Sequence, residues 1–106
     1  MKLTVLGAGC WGLTLAWLLT DNFEDITVWG RAQDLTKDLI QNKHCSKPLE
    51  VQLDSKVEIT SSLTEAIKDA DIILSVVATS GTRDVCENLK AAGIKSEQIL
   101  VNASKG

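Results

Sequence analysis

The chain has one proline, one histidine, few cysteines and no surplus of positive charge. Each shortage narrows the field. The three cysteines, Cys10, Cys45 and Cys86, are odd in number and widely spaced, and no C-x-x-C pair is present. That pattern gives neither a disulfide framework nor a zinc-ligand set. Reduced thiols in a cytoplasmic protein are the plain expectation. The single histidine, His44, sits in a polar stretch beside Cys45 and Lys47 and reads as a loop residue rather than a catalyst. Eleven Lys and Arg stand against fourteen Asp and Glu, a net charge of −3. Such a balance argues against nucleic acid or an anionic membrane surface as a partner, and leaves open a small anion held locally. No internal repeat or low-complexity tract is found.

From Leu3 to Thr20 there is no charged residue, and Lys2 precedes the run. A secretory signal or a short membrane span has a similar profile. Gly7, Gly9 and Gly12 interrupt it, it opens as a β-type segment, and no clean small-x-small cleavage site follows it before the acidic stretch Asp21 to Asp25. No targeting segment and no membrane span are therefore expected.

What is present fits one soluble domain. The 106 residues are 44% hydrophobic and 24% charged, and a chain of that size buries roughly 65% of its unfolded surface. Leu3 to Leu6 predicts a buried strand. Gly12 to Leu19 is apolar on nearly every side, which predicts a helix covered all round. Ile26 to Trp29 predicts a second strand, ended by Gly30. Ala32 to Gln41 predicts a helix with Leu35, Leu39 and Ile40 on one face. Residues 42 to 56, with Pro48, predict a loop, and Val57 to Ile59 a short edge strand. Ser62-Leu63-Thr64-Glu65 has the form of a capping box, so a helix is expected from there to about Ala70. Ile72 to Val77, largely β-branched and apolar, predicts a central parallel strand. Thr82 to Ala92 suits a helix stopped by Gly93, and Ile99 to Val101 the last strand. This alternation predicts an α/β fold, a doubly wound parallel sheet with helices on both faces.

Gly7-Ala8-Gly9-Cys10-Trp11-Gly12 is G-x-G-x-x-G, placed after a strand and opening a helix, the context a dinucleotide fingerprint requires. Gly7 allows the tight turn, Gly9 lets a pyrophosphate approach the backbone, and Gly12 lets the helix pack close to the sheet. The first N–H groups of that helix, without internal partners, point at the anion. The competing reading is a glycine-rich turn with no ligand. After the second strand, Arg31 stands where an acid would bind a ribose 2′-hydroxyl. A guanidinium there favours a 2′-phosphate, hence NADP, or tolerance of both NADP and NAD; the alternative is a solvated charge at a helix start. Thr79-Ser80-Gly81 and Ser104-Lys105-Gly106 follow later strands at the carboxyl edge of the sheet. Ser80 is either a crevice residue or a helix cap, and Lys105 either a phosphate or substrate contact or a surface lysine.

Together these residues resemble one family. The run Leu3 to Gly12 is similar to the start of bacterial NAD(P)-dependent glycerol-3-phosphate dehydrogenase. Val28-Trp29-Gly30-Arg31 is similar to that family's second strand, Asp69-Ala70-Asp71-Ile72-Ile73-Leu74 to its fourth-strand entry, and Ser104-Lys105-Gly106 to its Lys-Gly motif. The resemblance covers the whole chain in order. It implies a cytoplasmic enzyme that interconverts glycerol 3-phosphate and dihydroxyacetone phosphate for phospholipid synthesis. It also implies Cys10 and Trp11 at the cofactor pyrophosphate, Arg31 near the adenosine ribose, and Lys105 on both cofactor and substrate. Cys10 departs from the usual serine, which leaves its backbone contacts intact. The substrate-side loops depart at Ala78-Thr79-Ser80 and over residues 42 to 56.

The family's proton-accepting lysine lies in a C-terminal helical domain. The expectation is thus that residues 1–106 are the N-terminal portion of an NAD(P)-binding domain, a fragment or one part of a split enzyme, with no catalytic residue and no metal ligand of its own. Such a piece leaves a sheet edge open to self-association, so a homo-oligomer is possible. A fragment of another dehydrogenase with a helical substrate domain, or a stand-alone NADP(H)-binding module, are the alternatives.

Overall fold

The computed structural model describes residues 1–45, 50–76 and 82–103. In chain order its elements are β1 (Lys2–Leu6), α1 (Cys10–Leu18), β2 (Asp25–Trp29), α2 (Lys37–Asn42), β3 (His44–Cys45), β4 (Val51–Gln52), β5 (Glu58–Thr60), α3 (Leu63–Ile67), β6 (Ile72–Ser75), α4 (Thr82–Ala92) and β7 (Ile99–Asn102). Short 3-10 turns at Thr20–Asn22 and Ala32–Asp34 follow α1 and β2.

Five strands make one sheet in the order β5-β2-β1-β6-β7, and every pair is parallel. The alternation of side chains along β1 serves both faces. Leu3 and Val5 point to one layer with Leu13 and Ala16 of α1, Leu39 of α2, and Val51 and Leu53. Leu6 points to the other with Ile67 of α3, Leu89 of α4 and Ile73. Thr4, fully buried on β1, donates its hydroxyl to the Ala66 carbonyl and so pins α3 to the sheet. The fold is the expected α/β arrangement, doubly wound with helices on both faces.

Four local expectations are corrected. The segment Ala32 to Gln41 is not one helix. A 3-10 turn ends at Asp34, Leu35 is extended, and Thr36 caps a new helix by accepting the Leu39 N–H at 3.1 Å. Of its expected apolar face, Leu39 is buried while Ile40 is exposed.

Residues 42 to 56 are not simply a loop either. β3 and β4 pair as an antiparallel ribbon, whose Val51, followed by Leu53, is buried against the α1 layer. Nor is α1 covered all round, since Trp17 and Leu18 are 54% and 57% exposed. A helix on the outside of a sheet has a solvent side whatever its composition. Finally, α3 ends at Ile67, three residues short of Ala70, because Lys68 is extended and Asp69 adopts φ 61°. Its capping box is half formed. Ser62 accepts the Glu65 N–H, while the Ser62 N–H goes to Thr60 Oγ1.

The expected stop of α4 is as read. Gly93 takes φ 91°, and Ile94 N–H bonds back to the Leu89 carbonyl at 3.0 Å. Ser46 to Leu49, Val77 to Gly81 and Ser104 to Gly106 lie outside the described residues, and with them the expectations for Pro48, Ser80 and Lys105.

Candidate functional site

The strand order reverses beside β1. From β1 the chain builds outward to β2 and β5, then crosses back to lay β6 on the other side. In open parallel sheets the loops leaving the carboxyl ends on either side of such a point part and leave a crevice. Here the exits are held in place by a continued ladder. Gly7 N–H donates to the Trp29 carbonyl at 2.7 Å, Val76 N–H to Leu6 at 2.9 Å, Gly30 N–H to Thr60 at 3.1 Å and Ala103 N–H to Ser75 at 2.8 Å.

The three fingerprint glycines carry three different constraints. Gly7 has φ 127°, a conformation that side chains rarely adopt, and a Cβ there would lie 3.1 Å from the Val76 carbonyl oxygen. A Cβ on Gly12 would sit 2.1 Å from the Gly7 carbonyl oxygen, an impossible contact. Gly9 is the opposite case. It has ordinary φ and ψ, −73° and 173°, and a Cβ there would meet nothing within 4 Å. The fold needs hydrogen at positions 7 and 12, whereas at position 9 it leaves open space in front of the helix.

That space faces the start of α1, a nine-residue helix. Gly9 supplies no side-chain cap, and the first turn holds no acidic residue. The opening N–H groups and the positive end of the helix dipole therefore face the opening. A diphosphate fits this cradle on charge and on the room that Gly9 leaves.

The other expected residues distribute as follows. Cys10 opens α1 with its backbone, and its side chain lies outside what is described. Trp11 is in the first turn, 43% exposed, with its indole N–H donated to the Ala103 carbonyl at 3.1 Å. Arg31 is exposed at the exit of β2, on the same sheet edge as the glycines. Lys105 lies outside the described residues.

Sequence reasoning missed Gly30 as a site residue. A Cβ there would come 2.6 Å from the Ala8 Cβ and 2.9 Å from Leu35 Cδ2, so the β2 exit tucks beneath the fingerprint loop only as glycine. A glycine directly between the strand and Arg31 was the available signal.

His44 is not a loop residue. It lies on β3, where Nδ1 is 2.7 Å from Asp38 Oδ2. The hydrogen bond to Asp38 holds the imidazole pKa above its usual value. Hydrogen bonds from His44 and then Asn42 hold the Asp38 carboxyl below its own. The pair ties α2 to β3, and it is built from different elements than the crevice.

A shallow pocket on the opposite, amino-terminal edge of the sheet is lined by Lys2, Asp25, Lys56, Glu58 and Asp69 among others. Its lysines are committed to capping. Lys2 Nζ donates to the Lys68 carbonyl, and Lys56 Nζ to those of Thr20 and Phe23. Among the described residues no group of three His, Cys, Asp or Glu is placed to hold a metal, and no helix is long and apolar enough to cross a membrane.

With this geometry in place, comparison with known proteins is decisive. A family model described as the N-terminus of NAD-dependent glycerol-3-phosphate dehydrogenase matches residues 2–106. The chain belongs to that family. Curated relatives include the glycerol-3-phosphate dehydrogenase [NAD(P)+] of Thermoanaerobacter sp., 34% identical over 106 residues, and that of Bacillus mycoides, 39% identical over 107. The match covers 100% and 99% of this chain but 32% and 31% of the two relatives. The chain thus spans about a third of the length of the curated relatives it matches. Among solved structures, the Plasmodium falciparum glycerol-3-phosphate dehydrogenase superposes with a TM-score of 0.83 at 26% identity, covering 100% of this chain and 32% of that one. NAD(P) is accordingly the cofactor class of the family, and the fold is of the Rossmann type.

Proposed function

We propose that this chain is the cofactor-binding portion of an NAD(P)-dependent glycerol-3-phosphate dehydrogenase, an enzyme interconverting glycerol 3-phosphate and dihydroxyacetone phosphate in the cytoplasm to supply phospholipid synthesis. The observation that carries the reading is the cradle at the switch point, where Gly9 leaves open space before an uncapped helix start. Gly7, Gly9, Gly12 and the backbone of Cys10 and Trp11 hold the cofactor diphosphate. Arg31 takes the adenosine ribose, through its 2′-phosphate where the cofactor is NADP. Lys105 meets both cofactor and substrate. The bound cofactor supplies or accepts a hydride. This chain's residues bind and orient it, and the group that takes the hydroxyl proton is assigned outside residues 1–106. Residues 1–106 form the nucleotide-binding portion.

Titration with NADPH and NADH, followed by tryptophan fluorescence, tests the reading. Quenching with saturation is expected, because Trp11 stands in the first turn of α1 beside the cradle. A folded sample that responds to neither cofactor would overturn it. With dihydroxyacetone phosphate and NADPH together, these residues alone are expected to give binding without turnover.

A further inference from the structure

β2 leaves the sheet through Trp29, Gly30 and Arg31, in that order. Trp29 is the last paired residue, opposite Thr60 of β5. On the side of the fingerprint loop its carbonyl accepts the Gly7 N–H at 2.7 Å. On the other side two bonds run to the exit of β5. Gly30 N–H donates to the Thr60 carbonyl at 3.1 Å, and the Trp29 indole N–H to the Ser61 carbonyl at 3.0 Å. The second is a side-chain bond between residues 32 apart in sequence. The indole is half-buried and packs against the layer of Leu6, Ile67 and Ile73.

Ser61 is a firm anchor for that bond. The Ser62 N–H after it donates to Thr60 Oγ1 at 3.0 Å, and Ser62 Oγ caps α3 by accepting the Glu65 N–H. Arg31 stands beyond the paired strand, with an extended backbone at φ −65° and ψ 150° and an exposed side chain. The joint between it and Trp29 is a glycine, the residue with the widest backbone freedom. A guanidinium grips a phosphate through two parallel bonds only where its fork is aimed correctly. The direction in which Trp29 hands over the chain therefore decides what Arg31 can reach.

We propose that Trp29 is a specificity-determining positioning residue, whose indole bond to the Ser61 carbonyl aims the β2 exit so that Arg31 meets the 2′-phosphate of NADP. Trp29 acts through Arg31 and not on the cofactor itself. This rests on the reading of Arg31 given above. A residue that only stabilised the fold would weaken NADPH and NADH alike, and its effect would persist once Arg31 was gone.

The test is Trp29→Phe, alone and combined with Arg31→Ala, with NADPH and NADH titrated by calorimetry into each variant and the unaltered chain. A second variant carries benzothienylalanine at position 29, which keeps the bicyclic shape and replaces the N–H with sulfur, so the packing is preserved should phenylalanine fail to fold. In either variant the preference for NADPH over NADH is expected to fall about three- to tenfold, the worth of one hydrogen bond. In the Arg31→Ala background the same change is expected to move that preference by less than about twofold, because coupled residues do not add. An unchanged preference in the single variants, or an equal fall with and without Arg31, would overturn the inference and leave the cofactor-binding reading standing. If Arg31→Ala alone leaves the preference unchanged, the 2′-phosphate reading fails and the inference with it. An unaltered chain that binds neither cofactor would overturn the whole cofactor-binding reading.

Discussion

Substituting alanine at two glycines of one motif should give opposite results. At Gly9 the backbone already has φ −73°, which alanine adopts without strain, and the new methyl group meets no atom within 4 Å. Two small effects on stability then oppose each other. Alanine restricts the unfolded chain, worth about 0.4–1 kcal/mol in favour of folding, but it is a poorer N-cap than glycine by roughly 0.5–1 kcal/mol. The net change is expected within about 0.5 kcal/mol of zero, a few degrees in Tm at most. The same methyl group occupies the space before the α1 amides, so a diphosphate cannot close to hydrogen-bonding distance. NADPH affinity should fall at least about tenfold, or 1.4 kcal/mol.

Gly12→Ala is the converse. A Cβ placed 2.1 Å from the Gly7 carbonyl oxygen forces α1 away from the sheet at a cost of about 1–3 kcal/mol or more. Urea denaturation beside NADPH titration of both variants decides the matter. The reasoning is refuted if Gly9→Ala unfolds the chain or binds NADPH as tightly as the unaltered protein, or if Gly12→Ala is neutral for stability.

Further outcomes follow from the same structure. Arg31→Ala should weaken NADPH by about 10- to 100-fold, the worth of a charge-assisted bond, and NADH far less; equal losses in the two titrations would remove the 2′-phosphate assignment. Thr4→Val should cost about 1–3 kcal/mol in urea denaturation, because its buried hydroxyl holds α3 through the Ala66 carbonyl. The His44–Asp38 pair should stabilise the fold most between the ordinary values of 3.8 for the carboxyl and 6.5 for the imidazole. The raised imidazole value means its contribution fades as pH climbs through the folded pKa, and the lowered carboxyl value means it fades as pH falls through that one. Denaturation of His44→Gln against the unaltered chain from pH 3 to 9, on the order of one-unit steps, should show a gap that narrows at both ends; a constant gap would contradict the pairing.

The parts of this fold legible in the sequence are those whose signal is short. The glycine fingerprint, the apolar strands and the Gly93 stop each rest on neighbouring residues, and alternation alone predicts the parallel sheet. The parts missed depend on distant partners. Ile40 belongs to an apolar pattern yet faces solvent, because the Thr36 cap starts the helix later than periodicity suggests. Residues 51 to 53 read as polar loop until α1 is present to bury Val51 and Leu53. Trp17 and Leu18 looked buried because composition does not tell a helix which side meets solvent. In the site, each fingerprint glycine was legible. Gly30 was not, since its need is set by Ala8 and Leu35 folding over it. Nor was the Trp11–Ala103 bond, which spans nearly the whole described chain.

The most direct measurement of the central claim is an amide-resolved NMR titration of the isotope-labelled chain with NADH. The account predicts the largest shifts at the N–H groups of Gly9, Cys10, Trp11 and Gly12, with weaker changes spreading to Gly30 and Ala103. Shifts gathered instead around Lys2, Asp25 and Asp69 on the opposite edge, or none at the start of α1, would contradict it.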